Sequence, residues 1–252
     1  MPANYKPFDK EEWLRLEKKA DELRRLTIQT AIWGGSGHLG GALSAMDAMT
    51  ILYHRFMKLD VNNPELPDRD RFVLSKGHAA VGYAPVICDY GFMPIDELKI
   101  FNLTGAKIGM HLDCNKVKGI DCSTGSLGHG LSLAVGFALA GRVNGIDYMN
   151  YVLTGDGELN EGSNWEAAMS GKHLCLLLIR TGITLLLLLT RTDFRLTVQL
   201  LKLVALNHWT RSLKHLALML SVLTVIILKN LMMLLKALLK IIKTVAISRL
   251  LL

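Results

Sequence analysis

The chain has 252 residues, half of them hydrophobic, with 29 Lys+Arg against 22 Asp+Glu and a formal net charge of +7. Through residue 171 there are 17 basic and 21 acidic side chains; beyond it there are 12 basic and one acidic, Asp193. The net charge is therefore an acidic body plus a basic tail whose cations are scattered among leucines, which excludes a nucleic-acid-binding surface as the reading.

This length supports one sizeable core or two small ones. Four cysteines, Cys88, Cys114, Cys122 and Cys175, are too few for a disulfide scaffold in a chain of this size. Cys114 and Cys122 lie near His111 and His129 but form no Cys-x-x-Cys pair, so reduced thiols are the reading over a zinc site. The N-terminal stretch MPANYKPFDKEEW has no apolar core of a secretory signal. A cytoplasmic protein is expected.

Apolar spacing predicts a helix over 9–33, with Asp9 as its cap, Glu11 and Glu12 in its first turn, and Gly34-Gly35 ending it. A glycine loop, Ser36-Gly37-His38-Leu39-Gly40-Gly41, leads into a second helix over 42–56. Glycines expose their neighbours, so His38 is oddly placed for packing. Residues 60–70 read as a polar, proline-broken loop. Arg71 to Ser75 reads as a short buried strand ending in Lys76-Gly77-His78-Ala79, a second histidine in a glycine turn. His111 follows Gly109-Met110 in an irregular region. A further turn, Ser123-Thr124-Gly125-Ser126-Leu127-Gly128-His129-Gly130, precedes a helix of small residues over 131–143. Then Tyr151-Val152-Leu153 runs as a strand into Gly155-Asp156-Gly157-Glu158-Leu159-Asn160-Glu161-Gly162 and a helix start. Glycines flanking an aspartate let backbone N–H groups approach a phosphate, and the aspartate is a hard oxygen ligand for Mg²⁺ or Ca²⁺. The body reads as α/β, with glycine turns and histidines gathered at the carboxyl ends of strands, where open sheets bind ligands.

The runs SGHLGGALSAMDAMTILYHRFMKLD, DRDRFVLSKGHAAVGYAPV, STGSLGHGLSLAVGFALAGR and GDGELNEGSNWEAAMSGKH resemble transketolase. More closely, they are similar to its N-terminal, diphosphate-binding half, which occurs as a separate subunit in split enzymes. The motifs stand in family order over about residues 14–173. The resemblance implies a parallel sheet with helices on both faces, over residues 1–171. It also implies an enzyme that uses thiamine diphosphate and Mg²⁺ to move a two-carbon ketol unit between sugar phosphates. On it, Asp156 is similar to the metal ligand, and the Gly157 backbone and His78 stand near the diphosphate. His38 and His111 match histidines that contact substrate hydroxyls and assist proton transfer. Gly125, Ser126 and Leu127 match the turn at the aminopyrimidine end of the cofactor, and Glu161 and Glu166 match acidic residues near the subunit contact. His129 stands where the family usually has glutamine. The glutamate that activates the aminopyrimidine belongs to the family's C-terminal half. That half is implied as a partner, in a dimer or heterotetramer, without which the chain is inactive.

The sequence changes character over 172–252, which is about a third leucine, with one glycine, Gly182, and no proline. The family continues here with a strand that ends in a second metal ligand, an asparagine; this chain has none before Asn207. The sheet's last strands are therefore expected to be lost, and a reading-frame slip upstream of about residue 180 is the expected cause. One choice of codons for Thr190–Thr197, read one base earlier, restores a family-like continuation with an asparagine. The longest uncharged apolar stretch, Leu216–Leu228, falls short of the ~20 residues that span a bilayer. Two further readings stay open: an inactive gene remnant, or a non-enzymatic protein whose basic amphipathic segment, with Lys236, Lys240 and Lys243 at helical intervals, lies on a membrane surface or a partner helix.

Overall fold

The computed structural model describes residues 9–177 and 185–190, with side chains through 171. The tail readings at 178–184 and from 191 onward lie outside the described residues, as do the frame slip and the amphipathic segment.

Helix α1 (Lys10–Gly34) begins where Asp9 accepts the Glu12 backbone N–H at 2.7 Å, and ends on Gly35, at φ 65°. The cap satisfies an orphan donor and the glycine takes the left-handed conformation that a side chain would resist. The buried face is Leu16, Ala20, Leu23, Thr27 and Thr30, one stripe at helical spacing. The two threonines return their hydroxyls to Leu23 O and Leu26 O, so neither is left as an unsatisfied buried donor. Helix α2 (Leu39–Ile51) starts three residues earlier than its apolar pattern suggests and continues as a π-helical turn over Leu52–Phe56. The added turn opens with the Ala42 N–H donating to His38 O at 3.2 Å, and a Cβ on Gly41, within it, would stand 3.4 Å from His78 Nε2.

Three strands form a parallel sheet in the order β1 (Arg71–Leu74), β2 (Asn150–Gly155), β3 (Leu185–Thr190). Alternation along the strands divides two cores. On one face, Phe72, Leu74, Tyr151 and Leu153 join the cluster that includes Leu23, Met46, Met49, Tyr83 and Ile87, from α1, α2 and α3 (Ala80–Tyr90). On the other, Val73 and Val152 pack with Leu131, Ala134 and Ala167, from α4 (His129–Val143) and α5 (Gly162–Leu177). The sheet is covered by helices on both faces, as parallel sheets require.

Regular structure continues past residue 171. Helix α5 crosses that boundary to Leu177, and the leucine run assigned above to an aberrant tail is β3, paired with β2 from Asn150↔Leu185 to Gly155↔Thr190. Composition pointed elsewhere because the run stands in a leucine-rich, glycine-poor segment and leucine is not among the strong strand formers. The pairing supplies what local propensity does not. Among the described residues, no helix is long and apolar enough to cross a membrane.

Candidate functional site

β1 ends at Leu74, opposite Leu153, while β2 runs on to Gly155, opposite Thr190 at the end of β3, and the chain leaves β1 and β2 through polar turns. After β1, Ser75 and Lys76 run into the 3₁₀ turn Gly77–Ala79, which carries His78. After β2, Asp156 opens the 3₁₀ turn Gly157–Asn160. The turn that precedes α4 lies against the first of these: a Cβ on Gly77 would be 2.4 Å from Thr124 O, and Thr124 Oγ1 donates to Leu74 O at 2.7 Å. Only a glycine permits that approach.

The histidines predicted from three separate motifs meet here. His38, at the start of α2, and His78 stand edge to face with ring centroids 5.2 Å apart. His111 lies beside Gly125, where an added Cβ would be 3.2 Å from its Cδ2. Burial lowers the His78 pKa below its ordinary value of 6.5, and the positive fields of His38, Lys76 and His111 act in the same direction. Gly125, Ser126 and Leu127 form the outer part of their turn. Gly157 is exposed as well, with no atom within 4 Å of where a Cβ would stand. Glu161 follows at the rim, its backbone N–H donating to Glu158 O at 3.0 Å. Cys114 is exposed and accepts the Ser123 hydroxyl at 3.4 Å.

Three side chains outside the predicted set complete the arrangement. Lys76 is 2% exposed, and its Nζ donates to Gly41 O at 2.7 Å and to Ser44 Oγ at 3.1 Å. Desolvation pushes its pKa down from 10.5 to about 8, against the opposing pull of Asp156 and Glu158. Ser75 is fully buried and donates to Glu158 Oε1. Glu158 is itself 2% exposed, with its carboxylate also taking the N–H groups of Gly128 and Gly155. The signal for them is a run of polar residues directly after a buried strand, Ser75-Lys76 and Asp156–Glu158. Buried polar residues need partners, and the nearest ones lie on other turns that the sequence does not connect. The result is exposed glycine backbone at Gly125 and Gly157 beside one aspartate and a group of nitrogen bases. Such a surface suits an anion carried with a metal ion.

Comparison with known proteins shows the family to which the chain belongs. Residues 16–179 match the family described as transketolase, thiamine diphosphate binding domain. A 6-deoxy-6-sulfo-D-fructose transketolase subunit from Clostridium sp. (strain MSTE9) is 42% identical over 159 residues, covering 63% of this chain and 58% of that protein. One of the subunits of apulose-4-phosphate transketolase from Actinobacillus succinogenes is 42% identical over 156 residues, 62% of this chain and 56% of its own. The chain thus spans little more than half the length of these relatives. Among solved structures, transketolase from Leishmania mexicana superposes with a TM-score of 0.60 at 30% identity, over 68% of this chain and 27% of that one. Campylobacter jejuni transketolase gives 0.58 at 32%, over 63% and 26%. The family match covers well over half of the chain and its residues include every turn of the site. The chain belongs to the transketolase family, through its thiamine diphosphate-binding domain.

Proposed function

We propose that this chain is the N-terminal, diphosphate-holding subunit of a split transketolase that transfers a ketol unit between sugar phosphates once its catalytic partner is present. The observation that carries the reading is the convergence of His38, Lys76, His78, Gly125 and Asp156 from four distant motifs onto the carboxyl ends of β1 and β2. That two relatives are themselves named as subunits supports the split organisation.

The residues suit the cofactor. Gly157 leaves open space beside Asp156, so the backbone can meet a diphosphate oxygen without a side chain in the way. The Asp156 carboxylate supplies one hard oxygen for Mg²⁺, or Ca²⁺, whose remaining ligands come from phosphate and water. His78, kept neutral near pH 7 by its surroundings, can face the diphosphate as a hydrogen-bonding group. His38 and His111 sit on the solvent side of the same turns, where an imidazole can pass protons to and from a sugar hydroxyl. Thiamine diphosphate, when bound, supplies the carbon nucleophile; the chain's part is to hold, orient and exchange protons. Gly125, Ser126 and Leu127 would border the aminopyrimidine end.

The partner would contribute the glutamate that activates the aminopyrimidine, in a dimer or heterotetramer. Mixing the chain with the C-terminal half of a split transketolase, thiamine diphosphate and Mg²⁺ tests the reading. Ketol transfer between sugar phosphates that needs both chains supports it. Transfer by the isolated chain, or none with any partner that binds it, contradicts it.

A further inference from the structure

Glu158 contributes no group to the open face of the site, yet it is the point at which three of its turns are joined. One carboxylate oxygen, Oε1, accepts the Ser75 hydroxyl at the end of β1 and the Gly128 N–H (2.8 Å) in the turn before α4. The other, Oε2, accepts the Gly155 N–H (3.0 Å) at the end of β2. The Ser75 hydroxyl in turn accepts the Gly130 N–H at 3.1 Å, so the first turn of α4 hangs on the same link. The backbone of Glu158 is also held, its carbonyl accepting Asn164 Nδ2 at 2.7 Å.

The packing leaves no slack. A Cβ on Gly128, which sits at φ 88°, would lie 2.4 Å from Ser163 Oγ and 2.6 Å from Glu161 Cβ; one on Gly130 would lie 2.3 Å from Ser75 Oγ. The turn is pressed close to the carboxylate and its neighbours. A carboxylate that is 2% exposed is costly to bury unless donors satisfy it. Here it has three, from three different segments, so the folded state favours the one arrangement in which all three meet.

We propose that Glu158 is a positioning residue: by bridging Ser75, Gly128 and Gly155 it fixes the Gly125–Leu127 turn relative to the Asp156–Gly157 turn, and so fixes the spacing between the two ends of the cofactor cradle. The proposal rests on the cofactor reading above for its use, though the bridge itself does not. A glutamine at 158 keeps the side chain's length and its Oε1 acceptor. It turns the group facing Gly155 from acceptor into donor, setting one N–H against another. E158Q therefore removes the bridge on one side with little change of volume.

The test compares wild-type and E158Q full-length chains in two measurements. Without cofactor, amide hydrogen exchange is read at Gly128 and Gly155 and at Val73 and Val152 in the strands. The bridge predicts that exchange in E158Q rises at Gly155, and at Gly128 as its neighbour loosens, by about tenfold, the equivalent of ~1.4 kcal/mol, with the strand amides unchanged. Unchanged exchange at both glycines overturns the proposal, as does an equal rise everywhere, which marks a merely structural residue. With Mg²⁺ present, thiamine diphosphate affinity is then measured by calorimetry; a loss of about tenfold or more in E158Q supports the positioning role and equal affinity overturns it. A wild-type chain that takes up no thiamine diphosphate counts against the cofactor reading, and the exchange result still decides on the bridge.

Discussion

Lys76 gives the site a measurable electrostatic signature. Its ammonium group is almost wholly removed from water and makes two neutral hydrogen-bonding contacts, to Gly41 O and Ser44 Oγ. Desolvation outweighs the attraction of Asp156 and Glu158, and the pKa falls from 10.5 to about 8. Below about pH 8 the lysine is protonated whether the chain is folded or unfolded, so it adds no pH dependence there. Between about 8 and 10.5 the folded chain has released the proton and the unfolded chain still holds it, so stability rises with pH. At ~1.36 kcal/mol per pH unit the full rise amounts to roughly 3 kcal/mol. The perturbation is K76M, which keeps the stem and removes the titration. Urea unfolding of both proteins is followed by circular dichroism from about pH 7 to 10.5, and the difference in unfolding free energy isolates Lys76, since all other groups titrate in both. Wild type gains on K76M across that window, approaching the full figure at its upper end. A difference that is flat, or that falls as pH rises, refutes the argument that burial governs this lysine. D156N moves the window to lower pH, because one of the two opposing carboxylates is gone.

Further outcomes follow from contacts already described. G130A forces a methyl group to within 2.3 Å of Ser75 Oγ and 2.7 Å of Ser75 Cα and destabilises by about 1–3 kcal/mol; G136A, on the same helix with nothing within 4 Å, stabilises by up to about 1 kcal/mol through helix propensity. Equal melting temperatures for the two variants would refute the packing described at the head of α4. His78 titrates below 6.5 by proton NMR of the imidazole, so between its folded midpoint and 6.5 the unfolded state binds the extra proton and stability falls on acidification; a midpoint at or above 6.5 contradicts the burial and the fields of His38, Lys76 and His111. The purified chain alone shows no ketol transfer from a ketose phosphate to an aldose phosphate, and measurable turnover without a partner chain contradicts the split assignment.

Much of the scaffold was legible where local rules act alone. Asp9 capping and Gly35 terminating α1 follow from the chemistry of single residues, and the buried strands β1 and β2 announce themselves as apolar runs closed by glycine turns. His38 and His78 were legible as candidates because each stands in a glycine loop, where packing gives no reason for an imidazole, and the fold brings their rings to 5.2 Å. Two things were hidden. Glu158 looks like any acid in the first turns after a strand, and its role arises only when Ser75 and Gly128, far away in the chain, arrive beside it. Strand β3 was hidden for a different reason: it is an apolar run like β1 and β2, but no glycine turn closes it and the leucine-rich composition around it drew attention away, while its strand state shows in its parallel register with β2. Long-range pairing decided both.

The proposed binding of thiamine diphosphate, through a metal ion, by Asp156 and the turns around it is tested most directly by calorimetric titration of the full chain with the cofactor. The expected result is saturable binding that requires Mg²⁺, with a Kd weaker than about 1 μM in the absence of the partner chain, and its loss in D156N at unchanged melting temperature. Binding indifferent to Mg²⁺ and to D156N, or no binding at millimolar cofactor, would contradict it.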